Sequence, residues 1–246
     1  MHHNKILFIS LLFILSVNAS FAKPPKILVF SKTTFYYHES IPDGIAAIQG
    51  LGKQMHFDVD TTTDASKFTD GNLKQYAAVI FLSTSDTSGA LLNDAQQTAL
   101  MHFIESNKGY VGIHAAADAE YQWPWYNNLV GAYFKSHPKQ QEAVMHVTDS
   151  NFVATRMLPD TWKHFDEWYN YKETHWNDVH VLLTVDENTY TGGENGNYHP
   201  VCWYHNYDGG RSFYLGLGHT KECYSDPLFL KLLAGGIKYA ISNQEK

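Results

Sequence analysis

The sequence predicts an α/β protein built on a doubly wound, mostly parallel sheet with an antiparallel C-terminal extension. Three observations carry this. Short, almost wholly apolar runs recur in the first half, the mark of strands covered on both faces. Capped amphipathic segments separate them, so strand and helix alternate as parallel βαβ units require. The last third changes character, with alternating runs around the turn Tyr207-Asp-Gly-Gly210 that signals a hairpin.

The elements follow in order. Lys26 to Ser31 reads as a first strand, and Ile41 to Gly52 as a helix with Ser40 as N-cap and Pro42 in its first turn. Phe57 to Asp60 gives a second strand, Leu73 to Tyr76 a short helical piece and Ala77 to Leu82 a third strand. Asn93 caps a helix from Asp94 to about Ser106, with Leu100, Phe103 and Ile104 on one face. Gly109 to His114 is the fourth strand. Further strands are expected at 142–148, 179–185, 200–206 and 211–217. Asp226 then caps a final helix that opens on Pro227 and runs to Ile241. Gly235-Gly236 inside that helix is locally costly and predicts close packing on the sheet.

Residues 1–22 read as a leader rather than as part of the fold. Lys5 precedes the apolar run Ile6 to Val17, and Ser20-Phe21-Ala22 has the small-x-small pattern of a signal-peptidase site. The run is shorter than the roughly 20 residues a membrane span needs, so a stable anchor is not expected. The mature chain, residues 23–246, is expected to be one exported, periplasmic domain. A net charge of −7 with scattered Lys and Arg argues against a nucleic-acid surface. Sixteen Tyr and six Trp would suit either sugar-binding faces or a large aromatic core. Export permits a disulfide between Cys202 and Cys223, and two separate buried thiols are the alternative. Nothing in the pattern sets an oligomeric state.

In open α/β sheets, ligands gather at the carboxyl ends of the parallel strands. Three such ends carry polar residues: 33–40 with His38, 83–88, and His114-Ala-Ala-Ala-Asp118 leading to Trp123. His38, His114 and Asp118 should therefore share one rim. His114 occupies the position of a nucleophile elbow, where an imidazole would serve as general acid or base. In Asp166-Glu167-Trp168-Tyr169, neighbouring side chains point opposite ways, so one carboxylate of the pair should reach the pocket. Glu194, His199 and His219 add polar loop residues. His38, His114, His199, His219 and Asp118 are zinc-type ligands, although no His-Glu-x-x-His spacing occurs. No cofactor is firmly implied, and a divalent metal such as zinc is compatible with the set.

Several long motifs resemble one family. They are Val111-Gly-Ile-His114-Ala-Ala-Ala-Asp118, Trp123-Pro-Trp-Tyr126, Leu129-Val-Gly-Ala-Tyr-Phe134, His137-Pro138, Asp166-Glu-Trp-Tyr169, His199-Pro200 and Tyr207 to Tyr214 with Gly216-Leu-Gly-His219-Thr220. Together they look like the ThuA-like (trehalose utilisation) family over nearly the whole mature chain. The resemblance implies a class I glutamine amidotransferase-like fold with a flavodoxin-like sheet. His114 stands where that superfamily places its cysteine, so amidotransferase chemistry by a thiolate is not expected. The resemblance also implies a small sugar substrate, oxidised to its 3-keto form, and cleavage or isomerisation after proton removal beside the ketone. In that scheme His114 acts as base or acid with Glu167 or Asp166 as partner. Asp118 orients the imidazole or binds a hydroxyl. His38, His219 and Arg211 polarise the ketone, Trp123 and Trp168 wall the ring, and His199 contacts substrate. A non-catalytic sugar-binding protein and a metal-dependent hydrolase of glycosides or esters stand as alternatives.

Overall fold

A computed structural model describes residues 23–87 and 91–242. The leader expected over 1–22 lies outside the described residues. The strands are β1 (Lys26–Phe30), β2 (Asp58–Thr62), β3 (Ala78–Leu82), β4 (Gly109–Ile113), β5 (Tyr133–Ser136), β6 (Gln141–Val147), β7 (Thr161–Asp166), β8 (Asn170–Lys172), β9 (His180–Val185), β10 (Pro200–Tyr207) and β11 (Gly210–Leu215). The α-helices are α1 (Ile41–Met55), α2 (Asp70–Leu73), α3 (Asp94–Glu105), α4 (Pro124–Val130) and α5 (Pro227–Ile241). No described helix is long and apolar enough to cross a membrane.

Nine of the described strands form one sheet in the order β2-β1-β3-β4-β11-β10-β9-β6-β7. The half from β2 to β11 is parallel, and the half from β10 to β7 is antiparallel. β3 and β4 are buried at every position because helices cover both faces, which explains their unbroken apolar sequence. One core layer is built around α1 and α5, with Ile48, Phe229, Leu233 and Ile237 against Ile80 and Phe213. The other lies under α3 and α4, with Leu100, Phe103 and Leu129 against Phe81 and Tyr214. α5 seats tightly: a Cβ on Gly235 would meet the Ala154 backbone at 2.2 Å, so only glycine fits there.

Several local expectations change. Ser40 does not cap α1 through its side chain; its hydroxyl donates instead to the Gly218 carbonyl at 3.0 Å, tying α1 to the loop after β11. Asn93 caps α3 in a full capping box with Gln96, and Asp226 caps α5 by accepting from Leu228 N–H. Cys202 and Cys223 are separate buried thiols, so the disulfide is not formed. The strands β5, β7 and β8 and the helix α4 have no counterpart among the elements expected from sequence.

A buried acid gives the fold a pH signature. The Glu120 side chain is sealed from solvent, where it accepts from Leu92 N–H and the Gln97 amide at 2.8 Å each. Burial outweighs these bonds and pushes its pKa from 4.5 up to about 7. The folded state therefore holds a proton that the unfolded chain has released between those two values. Stability should fall as pH rises across this window, by about 3 kcal/mol in total. Denaturant unfolding at pH 5 and pH 8 measures the slope. Glu120→Gln should flatten it, and an unchanged slope in that variant would refute the assignment.

Candidate functional site

The carboxyl ends of β1, β3 and β4 are laced together beyond the strands by bridges from Thr33 to Ser85 and from Ser85 to Asp118. This lacing fixes the loops that carry His38 and His114. His114 follows β4 directly with φ +50°, a left-handed conformation uncommon for a non-glycine residue and typical of a sharp strand-to-helix elbow. Its Nδ1 lies 3.0 Å from the Gly216 carbonyl, so Nδ1 carries the proton and donates. The Nε2 lone pair then faces inward, 3.2 Å from His219 Nδ1 and 3.5 Å from Glu167 Oε2.

Glu167 Oε2 is also 3.1 Å from His219 Nδ1. The His38 ring packs edge-on against both other imidazoles, at centroid distances of 4.8 and 5.0 Å. One donor atom each from His38, His114, Glu167 and His219 falls within 4.8 Å of the others. Such a focus of lone pairs and negative charge is repulsive unless a proton or a cation occupies it. Tetrahedral zinc, with bonds of about 2.0 Å to nitrogen and oxygen, sets donors about 3.3 Å apart. The separations among the donors of His114, Glu167 and His219, 3.1 to 3.5 Å, match that spacing. The Nδ1–H of His114 on a backbone carbonyl is the usual outer support of a metal-binding imidazole. His38 Nδ1 is buried with no hydrogen-bond partner among the described residues.

Electrostatics agree with this arrangement. Burial by itself raises the Glu167 pKa, but hydrogen bonds and charge from His114 and His219 hold the carboxyl well below its usual range. Burial, reinforced by the neighbouring His114 and His219, pushes His38 down to about 2, so the imidazole is neutral at any working pH. Tyr169 packs against His114 with its ring tilted by 34° and the centroids 4.2 Å apart. Tyr36, half-exposed, stands edge-on to His38 and nearly parallel to His219 at the mouth.

One comparison settles the affiliation. The family model for ThuA, described as trehalose utilisation, matches residues 26–240. The chain belongs to the ThuA family. Two ThuA-like crystal structures are similar over most of their length. That from Bacteroides uniformis is 26% identical, with a TM-score of 0.74, covering 92% of this chain and 95% of that one. That from Parabacteroides merdae is 22% identical with the same TM-score, covering 89% and 91%. The ThuA fold also extends to PurLQS from Thermotoga maritima, at 15% identity and TM-score 0.53, covering 88% of this chain and 99% of that one. No curated protein matches.

The structure brings His38, His114, Glu167 and His219 of this ThuA chain together and separates other residues expected beside them. Arg211 is the second residue of β11, paired with Gly109 at the amino end of β4, and donates to Ala240 O and to Asn107. It sits at the opposite, amino end of the parallel strands and cannot reach a ligand at the histidines. Trp168 is buried in the core with its indole N–H on Gln141 O, so it is no pocket wall. Trp123 stacks on Trp125 and Tyr126, and Trp125 in turn bonds Asp208 in the hairpin; the aromatic ring beside His38 and His219 is that of Tyr36. His199 is buried between Glu187 and the Tyr169 carbonyl. Asp118 accepts from the hydroxyls of Ser85 and Tyr121 rather than from an imidazole.

Asp166 also turns away from the pocket and acts from behind it. Its carboxylate accepts the backbone N–H groups of Glu167, Gly218, His219 and Thr220. Beside it, His164 lies between Asp226 and the Cys223 sulfur, at 3.2 and 3.3 Å. This resembles a nucleophilic triad, but the thiol is sealed and its pKa is raised by burial and by the Asp166 charge. It is therefore a supporting network and not a nucleophile. Sequence reasoning assigned no role to Tyr36 or His137.

Proposed function

We propose that this chain is a divalent-metal-dependent carbohydrate enzyme acting on a keto sugar, cleaving or isomerising a 3-keto-glycoside by removal of the proton beside the ketone. The observation that carries the reading is the convergence of three imidazole nitrogens and one carboxylate oxygen within 4.8 Å of one another, with the donors of His114, Glu167 and His219 at zinc-like spacing. It lies at the carboxyl ends of the parallel strands, where open α/β sheets bind ligands. Membership of a family described by trehalose utilisation supports a sugar as substrate. The leader-like segment at 1–22 supports action in the periplasm.

His38, His114, Glu167 and His219 would hold the metal, and a Lewis acid there would supply polarisation of the ketone and stabilisation of the negative charge that develops on its oxygen. His114 serves as a fixed ligand because Gly216 takes its only proton. Tyr36 offers an apolar face to the sugar ring at the entrance.

The test uses protein purified without a histidine tag. Elemental analysis should find about one divalent ion per chain, and a 3-keto-glucoside should yield free aglycone or a rearranged keto sugar. Chelation should stop the reaction, and added zinc should restore it. Turnover indifferent to chelation would overturn the metal assignment. Sugar binding with no change in the sugar would favour a binding protein.

A further inference from the structure

Beside the three histidines among the proposed metal ligands stands a fourth with a different character. His137 follows β5, in the loop leading to β6, and its side chain is 44% exposed, whereas His38, His114 and Glu167 are buried. The loop is pinned from below: a Cβ on Gly192 would strike Pro138 at 2.7 Å, so the two segments are in close contact. The ring is held near Phe134 and Tyr169, at centroid distances of 5.9 and 6.2 Å.

The tautomer follows from its partners. Nδ1 lies 2.9 Å from the Pro138 carbonyl and 3.0 Å from Glu167 Oε1. Both are acceptors, so the proton resides on Nδ1 and the lone pair on Nε2. Among the described residues, Nε2 has no partner. The other carboxylate oxygen, Oε2, faces His114 and His219. Glu167 thus joins the ligand cluster on one side to an imidazole with an available lone pair on the other. This is the acid–imidazole arrangement in which a carboxylate orients a base and stabilises the imidazolium that forms.

We infer that His137 is the general base, and then the general acid, of the reaction at this site, an inference that rests on the keto-sugar reading above. Nε2 takes the proton from the carbon between the ketone and the anomeric centre. The freed electron pair passes into the ketone as an enolate, and its return forms the new carbon–carbon double bond as the bond from the anomeric carbon to oxygen breaks. That oxygen leaves with its pair and receives the proton from Nε2. The products are a free alcohol or sugar and an unsaturated keto sugar, and His137 returns to its starting state.

The experiment follows proton exchange and turnover of a 3-keto-glucoside in deuterium oxide, with metal content and thermal midpoint measured in parallel. His137→Gln should slow both exchange and turnover by about a hundredfold or more, while retaining its metal and its midpoint. Imidazole added to His137→Ala should restore part of the rate. Exchange within a few-fold of wild type in His137→Gln would overturn the assignment. Loss of the metal in step with the rate would also overturn it, since His137 would then be acting through Glu167. Absence of exchange in the wild-type protein would overturn both this assignment and the keto-sugar reading.

Discussion

His114→Ala should lose its bound metal and turn over a 3-keto-glucoside about a thousandfold more slowly than wild type. The figure comes from Lewis-acid stabilisation worth several kcal/mol, at 1.36 kcal/mol per tenfold in rate. Three features make His114 the most sensitive of the four proposed ligands. Its ring is wholly buried, its Nδ1 proton is committed to the Gly216 carbonyl, and its backbone is held in a left-handed conformation. No neighbouring side chain can swing into its place, because Tyr169 and the other two imidazoles pack directly on the ring. Measured together, zinc content and turnover should fall as one. A variant that keeps its ion and most of its rate would remove His114 from the centre.

Asp166→Ala should be the most destabilising single change near the site. The alanine variant strands four backbone N–H donors that now share one carboxylate, together with the Cys223 thiol. Each buried donor left unpaired costs about 1–3 kcal/mol. Those donors belong to Glu167 and to the loop carrying His219, so two ligands should loosen together. Urea unfolding should show a lower midpoint, and zinc affinity should drop even where the protein is folded. Asp166→Asn, which keeps the shape and one acceptor, should fall between. A wild-type midpoint in Asp166→Ala would contradict this account.

The parallel half of the fold was legible because its strands are buried on both faces and say so in sequence. β3 and β4 have no outward polar position to blur the signal. β7 escaped notice because Thr161, Lys163 and Phe165 point outward while two of its inward residues, His164 and Asp166, are polar groups satisfied only by distant partners. The rule that ligands gather at strand ends located His38 and His114. Local alternation showed that one of Asp166 and Glu167 faces the pocket, but which one depends on how β7 seats against the loop after β11. Arg211 was misplaced for a similar reason. The hairpin turn was plain, yet its position at the amino edge follows from β11 running parallel to β4. Trp168 shows that an indole serves a core as readily as a sugar site when its N–H finds a carbonyl. His137 stands alone before a proline, with no spacing to mark it.

The switch from parallel to antiparallel pairing at β11 means that neither half of the chain owns the centre. His38 and His114 come from the early βα units, Glu167 and His219 from the later segments, and the seam between them runs through the donor cluster itself. Such a focus cannot pre-exist in a partly assembled chain, because its members meet only after the most distant segments have docked. An ion bound there would act as a clasp across the two halves, contributing its binding free energy to their cohesion as well as to chemistry.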